Sequence, residues 1–276
     1  MNKCYICSSE KLILLEDIVL CKNCFFYKSL KDYKISNIAF HYDSYTEEKH
    51  RLISSSHYNI YDFIIEEVKK YFGLERKGFK ALEVGFGHGE ILKRLKGIGF
   101  DVFGIDLSVS AFNYAIKNGL KEKELLVGDF LKVDFKNTFD IIILNEVLEE
   151  FLNPCEAVQK IDYLTKNRSL IVIRTKNSFF HIIGEKFLSW LIRSFGVITP
   201  CGFSLKSIEI LLKKYSFRIK KISFKLTKGD PYNQFKFSYL TLFKEIFPFF
   251  SNFMYLVGFR KYLISPSFIV IAVKEK

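Results

Sequence analysis

Four cysteines fall within the first 24 residues, as Cys4-Tyr-Ile-Cys7 and Cys21-Lys-Asn-Cys24. Each Cys-x-x-Cys pair can present two thiolates to a single ion, and four sulfur donors in tetrahedral array suit zinc. Such a site is structural, because four thiolates leave no coordination position for a substrate. Incidental buried thiols are the competing account, and two identical spacings so close together argue against it. A segment this short, with few apolar residues, depends on metal to fold. Cys155 and Cys201 lie outside the pattern and read as incidental.

The second constellation is Glu83-Val-Gly85-Phe86-Gly87-His88-Gly89, between an apolar run and a helical pattern. Glycines allow a tight turn and a backbone approach that a side chain would block. A ligand held there meets the free N–H groups of the helix start. An ordinary strand–helix turn is the competing account, and the glycine spacing alone is weak evidence against it. Three further residues follow successive apolar runs. Asp106 occurs in Gly104-Ile-Asp106-Leu107-Ser108, where a carboxylate can accept two hydrogen bonds from a ribose diol. Asp129 and Phe130 occur in Gly128-Asp129-Phe130, suiting an exocyclic amine and an aromatic ring. Asn145 ends Phe139-Asp-Ile-Ile-Ile-Leu-Asn145. Open α/β sheets bind ligands outside the carboxyl ends of their strands, which is where all of these stand.

Taken together these motifs resemble the class I S-adenosylmethionine-dependent methyltransferases. That family shows an acidic-x-Gly-x-Gly-x-Gly loop, an acidic residue ending the second strand, a Gly-Asp-Phe-like step after the third, and a fourth strand leading to a Val-Leu-Glu-His-like segment. The resemblance covers roughly residues 80–276. It implies a Rossmann-like seven-stranded sheet, mostly parallel, with the last strand antiparallel. It also implies that Glu83, Gly85, Gly87 and Gly89 hold the methionine end, Asp106 the ribose, and Asp129 and Phe130 the adenine, with Phe86, Leu107 and Asn145 as further cofactor-binding candidates. Glu150 stands where many relatives have His. A dinucleotide loop would need Gly-x-Gly-x-x-Gly, and its third glycine position is here Glu90. The cysteine spacing is similar to that of a zinc ribbon. A ribbon joined to such a domain resembles bacterial sugar- and polysaccharide-modifying methyltransferases, although some ribosomal RNA methyltransferases carry one too.

A sulfonium methyl is already activated, so the protein mainly aligns the acceptor and excludes water. A general base is needed where the acceptor must lose a proton. Glu149, Glu150 and His181 are the candidates. Each has a plain alternative: solvated or helix-start carboxylates for the first two, and packing in the apolar Phe179–Ile183 stretch for the last. His41, Tyr42 and Tyr45 precede the first long helix and read either as a lid or as a surface loop.

The elements that must position these groups follow from periodicity. Residues 1–30 form the cysteine unit, and 31–57 read as polar linker and loop. Asn59–Phe72 has apolar residues at helical spacing and ends at Gly73. From Lys80, short apolar strands alternate with amphipathic helices, the pattern of a mostly parallel α/β sheet. Helices are expected over 179–195 and from Ser204, a good N-cap, to Tyr215. Residues 227–264 are an aromatic insertion between the last two strands, serving as a lid, a dimer surface or a membrane contact.

The chain has 276 residues, 49% of them hydrophobic, and a formal net charge of +12. That excludes disorder and allows one sizeable domain with a small appendage. Lysine far outnumbers arginine and forms no dense run, so the charge reads as solvated faces before it reads as a nucleic-acid patch. Met1-Asn2-Lys3 leads directly to the cysteines, and no run reaches the length of a membrane span. A cytoplasmic location is the resulting expectation. The expected function is methyl transfer to a small molecule such as a sugar or glycolipid precursor. The alternatives are an RNA methyltransferase using ribbon and basic charge, and a binding protein that keeps the fold without catalysis.

Overall fold

The computed structural model describes residues 2–73, 77–182, 199–224 and 265–275. The chain opens with three short antiparallel strands, β1 (Leu12–Leu15), β2 (Ile18–Cys21) and β3 (Tyr27–Ser29). Three helices follow: α1 (Ile35–Asp43), α2 (Glu47–Ser56) and α3 (Tyr58–Phe72). Then come β4 (Lys80–Val84), α4 (Glu90–Gly97), β5 (Asp101–Asp106), α5 (Val109–Lys117), β6 (Leu125–Val127), β7 (Phe139–Asn145), α6 (Pro154–Leu164) and β8 (Thr165–Lys176). The last described elements are β9 (Cys201–Gly202), α7 (Leu205–Lys214), β10 (Phe217–Ser223) and β11 (Ser267–Lys274).

Seven strands form one sheet in the order β10-β11-β8-β7-β4-β5-β6. The pairs β4–β5, β4–β7, β5–β6 and β7–β8 are parallel, and β11 runs against both of its neighbours. The expected mostly parallel sheet with an antiparallel last strand is therefore present. Alternation explains its burial. Leu82, Val84, Ile142, Leu144, Ile171 and Ile173 face the layer of α6 and α7. Ala81, Ile141, Ile143, Leu170 and Val172 face α3, α4 and α5. Both faces are covered, so the strands read as unbroken apolar runs. Each fully buried Ile or Leu contributes about 2 kcal/mol from burial.

The helix termini follow their sequence signals. Ser108 accepts the N–H of Ala111 at 3.0 Å and starts α5. Ser204 and Ser207 bond reciprocally at the start of α7, as expected from Ser204. Gly73, at φ +72°, stops α3. The first strand of the large sheet ends at Val84, because Gly85 already turns with φ +70°.

Residues 31–57, read from the sequence as linker and loop, contain α1 and α2. Their apolar residues are too sparse to show a period, and α1 fully buries only Ile38. Tertiary polar contacts hold them instead. Asp43 accepts hydrogen bonds from Ser108 Oγ and the Ser110 N–H at 2.8 and 3.2 Å, and Glu47 pairs with Lys117 at 2.8 Å.

The cysteine unit is not closed at residue 30. Its sheet runs β1-β2-β3-β9, with Lys28 opposite Cys201 and Tyr27 opposite Gly202. Tyr27 lies so close over Gly202 that a Cβ there would be 2.0 Å from the ring. Cys4, Cys21, Cys24 and Phe26 belong to the same apolar cluster as Leu144, Phe203 and the buried face of α7. Of the expected 179–195 helix, residues 178–182 are helical; the rest of it and the 227–264 insertion lie outside the described residues. Among the described residues no helix is long and apolar enough to cross a membrane.

Candidate functional site

The strand order reverses direction around β4, with β5 and β6 on one side and β7 and β8 on the other. Open parallel sheets bind ligands at such a switch point, at the carboxyl edge of the strands. Gly85, Gly87 and Gly89 all adopt positive φ there, leading into α4. A Cβ on Gly85 would lie 2.4 Å from Val147 Cγ2, so this glycine permits close contact with the segment after β7. Gly87 differs: a Cβ there would meet nothing within 4 Å, so the loop turns its bare backbone outward at that position. Gly85→Ala is expected to cost about 2–4 kcal/mol from left-handed strain plus the clash with Val147. A midpoint in urea unchanged from wild type would contradict this account of the loop.

Asp106 braces the same loop. Its Oδ2 accepts the Gly87 N–H at 2.8 Å and its Oδ1 the Ser108 N–H at 2.9 Å. Burial pushes its carboxyl above the usual carboxylate range, against the pull of these donors. Glu83 is 3% exposed, and its Oε2 has no hydrogen-bond partner among the described residues. Burial, and then the neighbouring Asp106, hold its carboxyl well above its ordinary value. An orphaned buried carboxyl oxygen calls for a donor, and an amino group would satisfy it. Asp129 accepts the Leu131 N–H at 2.9 Å, at the end of β6. Leu107 is half-buried between Asp106 and Ser108.

Two residues expected at this edge send their side chains elsewhere. Phe86 is buried in the layer of α3 and α4 and offers the loop only its backbone. Phe130 is buried against Phe135 and Phe151, with ring centroids 5.9 and 6.0 Å away, and Lys160 Nζ stands 5.2 Å from its ring. In both cases an apolar ring beside the sheet edge gains more from the core than from a half-open crevice.

Asn145 accepts from Arg174 Nη1 at 3.3 Å and belongs to a polar group that the sequence reading missed. Arg174 is 3% exposed and pairs with Glu146 at 2.9 Å, while His57 Nε2 stands 3.9 Å from the other Glu146 oxygen. Burial raises the Glu146 carboxyl, but Arg174 and His57 outweigh it and hold it below its usual range. Burial, then Arg174, lowers the His57 imidazole. Glu146 has φ +60°, a conformation retained by a non-glycine residue only where its surroundings enforce it. The available signal was a charged residue, Arg174, interrupting the apolar run that begins at Leu170.

The three candidate bases separate clearly. Glu149 is 1% exposed and accepts from Thr175 Oγ1 at 2.8 Å, so it ties its turn to β8. Burial raises its carboxyl. His181 approaches the Pro266 carbonyl with Nε2 at 3.0 Å; burial lowers its imidazole to about 4, which keeps it neutral. That contact anchors the 178–182 turn to the start of β11. Glu150 is half-buried, and the Tyr42 hydroxyl donates to it at 3.4 Å. Burial, then the charge of Glu149, raises its carboxyl to about 7. Tyr42 comes from α1, so the 31–57 segment reaches Glu150, and does so from a helix rather than a loop.

Cys4, Cys7, Cys21 and Cys24 converge, their sulfurs all within 4.8 Å of one another. Cys4 and Cys24 are 3.6 Å apart, Cys7 and Cys21 3.5 Å. Tetrahedral zinc with Zn–S near 2.3 Å requires sulfur–sulfur edges of about 3.8 Å, so the cluster fits a metal of that size. The two knuckles match. The residue after each, Ser8 and Phe25, has φ +55° and returns its N–H to the carbonyl of Cys4 or Cys21, at 3.0 and 2.8 Å. Cys201, read as incidental, is buried against the carbonyls of Leu148, Glu149 and Phe151 at 3.5–3.8 Å.

Known proteins resemble the chain in sequence and in fold. The chain is 35% identical over 109 residues to a ubiquinone biosynthesis O-methyltransferase of Glaesserella parasuis, covering 36% of this chain and 46% of that one. It is 26% identical over 125 residues to the Burkholderia multivorans protein of the same name, covering 42% and 54%. The chain thus spans about half the length of the curated relatives it matches. In fold it is similar to magnesium protoporphyrin IX methyltransferase from Synechocystis PCC 6803 with bound SAH (TM-score 0.60, 13% identity, 88% of this chain and 100% of that one). It is likewise similar to the plantazolicin methyltransferase BpumL in complex with a substrate analogue and SAH (TM-score 0.57, 18% identity, 88% and 96%). A family model described as a methyltransferase domain matches residues 56–222, more than half of the sequence. With its glycine loop, braced Asp106 and reversed last strand, the chain belongs to that methyltransferase-domain family and has the fold of the class I S-adenosylmethionine-dependent methyltransferases.

Proposed function

We propose that the protein methylates a hydroxyl of a small-molecule acceptor, with Glu150 as general base. The observation that carries this reading is Glu150 itself, a half-buried carboxyl raised to about 7 at the carboxyl edge of the sheet. A base poised near the working pH accepts a proton efficiently while a substantial fraction, about half at pH 7, remains ionised. The named activity of the curated relatives, O-methylation, supports the same reading.

S-adenosylmethionine supplies the activated methyl when bound. Gly87 would give the backbone room for it, Asp106 would accept from the ribose hydroxyls, Asp129 from the adenine amine, and the orphaned Glu83 oxygen from the methionine amine. Glu150 takes the acceptor proton as the new oxygen–methyl bond forms and the sulfur–methyl bond breaks. Tyr42 orients Glu150, and α1 helps to exclude water. The proton leaves Glu150 to solvent afterwards. Phenols and sugar hydroxyls are the acceptor classes to compare, and the lower pKa of a phenol matches a base near 7 more closely. The test is transfer of labelled methyl from S-adenosylmethionine to a panel of both. Label on oxygen supports the reading; label on nitrogen or on RNA alone rejects it.

We also infer that the four cysteines hold one structural zinc. Metal analysis is expected to find about one zinc per chain, and chelation to lower the melting temperature. Metal-free protein with the same melting temperature would overturn the assignment.

A further inference from the structure

The turn that carries Glu150 is held from the side of the cysteine module. Cys201, 1% exposed, sets its thiol against three carbonyls of that turn, those of Leu148, Glu149 and Phe151. Cys201 is also a residue of β9, paired with Lys28 of β3, and Lys28 Nζ donates to the Leu152 carbonyl at 3.1 Å. β3 pairs with β2, and β2 ends on Cys21. On the other flank Ser204 Oγ, just after β9, donates to the Cys24 carbonyl at 2.5 Å. Paired strands and buried contacts thus connect two of the four cysteines to the Glu150 turn. Glu83, Gly87 and Asp106 lie on or beside β4 and β5, which pair with none of β1, β2, β3 or β9.

We propose that the four-cysteine module is the positioning element of the acceptor side of the site. When loaded with metal it fixes β3 and β9 and, through Cys201, the 148–152 turn; the cofactor side forms without it. This rests on Glu150 as the acceptor-side group, but the deciding measurement does not require Glu150 to be a base. Amide hydrogen exchange is compared between zinc-loaded and chelator-stripped full-length protein, with S-adenosylhomocysteine affinity measured on both. Stripping is expected to speed exchange at 147–152 by about tenfold or more, with residues 83–108 and the affinity changing by less than about twofold. A rise confined to residues 2–30 overturns the proposal, as does a common rise at 147–152 and 83–108 with loss of binding.

Cys201→Ala provides a second arm that leaves all four ligands in place. Its zinc content is expected to match wild type, its exchange at 147–152 to rise, and its pH midpoint for methyl transfer to move. A thiol that only fills space would lower the melting temperature and leave both local exchange and midpoint unchanged. Should Glu150→Gln keep full activity while these exchange results hold, the base assignment fails and the positioning of the turn stands.

Discussion

Asp106→Ala is expected to weaken S-adenosylhomocysteine binding by about two orders of magnitude, near 3 kcal/mol. Two losses combine. The ribose loses a charged acceptor, and charge-assisted hydrogen bonds contribute more than neutral ones. The Gly87 N–H, now held by Asp106 Oδ2 at 2.8 Å, also loses its partner, so the loop is no longer braced at the one glycine that faces outward. Asp106→Asn keeps one oxygen and should fall between the two. Calorimetric titration of all three proteins is the check. A dissociation constant for Asp106→Ala within about threefold of wild type would remove Asp106 from the cofactor site.

Glu150→Gln is expected to lower kcat by about 10²- to 10³-fold and to leave S-adenosylhomocysteine affinity unchanged. In wild type, log kcat should rise with unit slope as pH increases and level off above about 7, where Glu150 is ionised. The variant should lack that limb. Tyr42→Phe removes a hydrogen bond that favours the ionised form, so its limb should move to higher pH. Stability has the matching sign. The folded carboxyl is raised from 4.5 to about 7, so the native state binds the proton more tightly than the unfolded chain. Its contribution is complete below about pH 4.5 and is lost as pH rises through 7, by up to about 2 kcal/mol after allowance for partial exposure. Denaturant unfolding of wild type minus Glu150→Gln across that range isolates the effect. A flat difference, or a wild-type rate independent of pH, would show that Glu150 is not the titrating group.

Much of the candidate site was legible because its signals are local. The Glu83–Gly89 loop, Asp106, Asp129 and Asn145 each follow an apolar run, and strand ends in a parallel sheet fall on one edge. The two Cys-x-x-Cys knuckles needed only their spacing. The α1–α2 segment was misread because its stabilising contacts, Asp43 with Ser108 and Glu47 with Lys117, carry no hydrophobic period. Phe86 and Phe130 were placed by motif, whereas their rings follow the nearest apolar layer. Glu149 and Glu150 are adjacent and chemically alike; only burial against Thr175 on one side and an approach from Tyr42 on the other separate a tie from a candidate base.

The amino-acid sequence by itself determined the parallel sheet, its glycine loop and the clustering of four thiols, because period, turn chemistry and ligand spacing act over a few residues. The tertiary structure alone decided that Arg174 and His57 meet at Glu146, that Cys201 supports the Glu150 turn, and that β9 completes the cysteine module's sheet. Partners such as Lys28 and Cys201 stand far apart along the chain and are joined by pairing and burial, which leave no repeating mark in the residues between them.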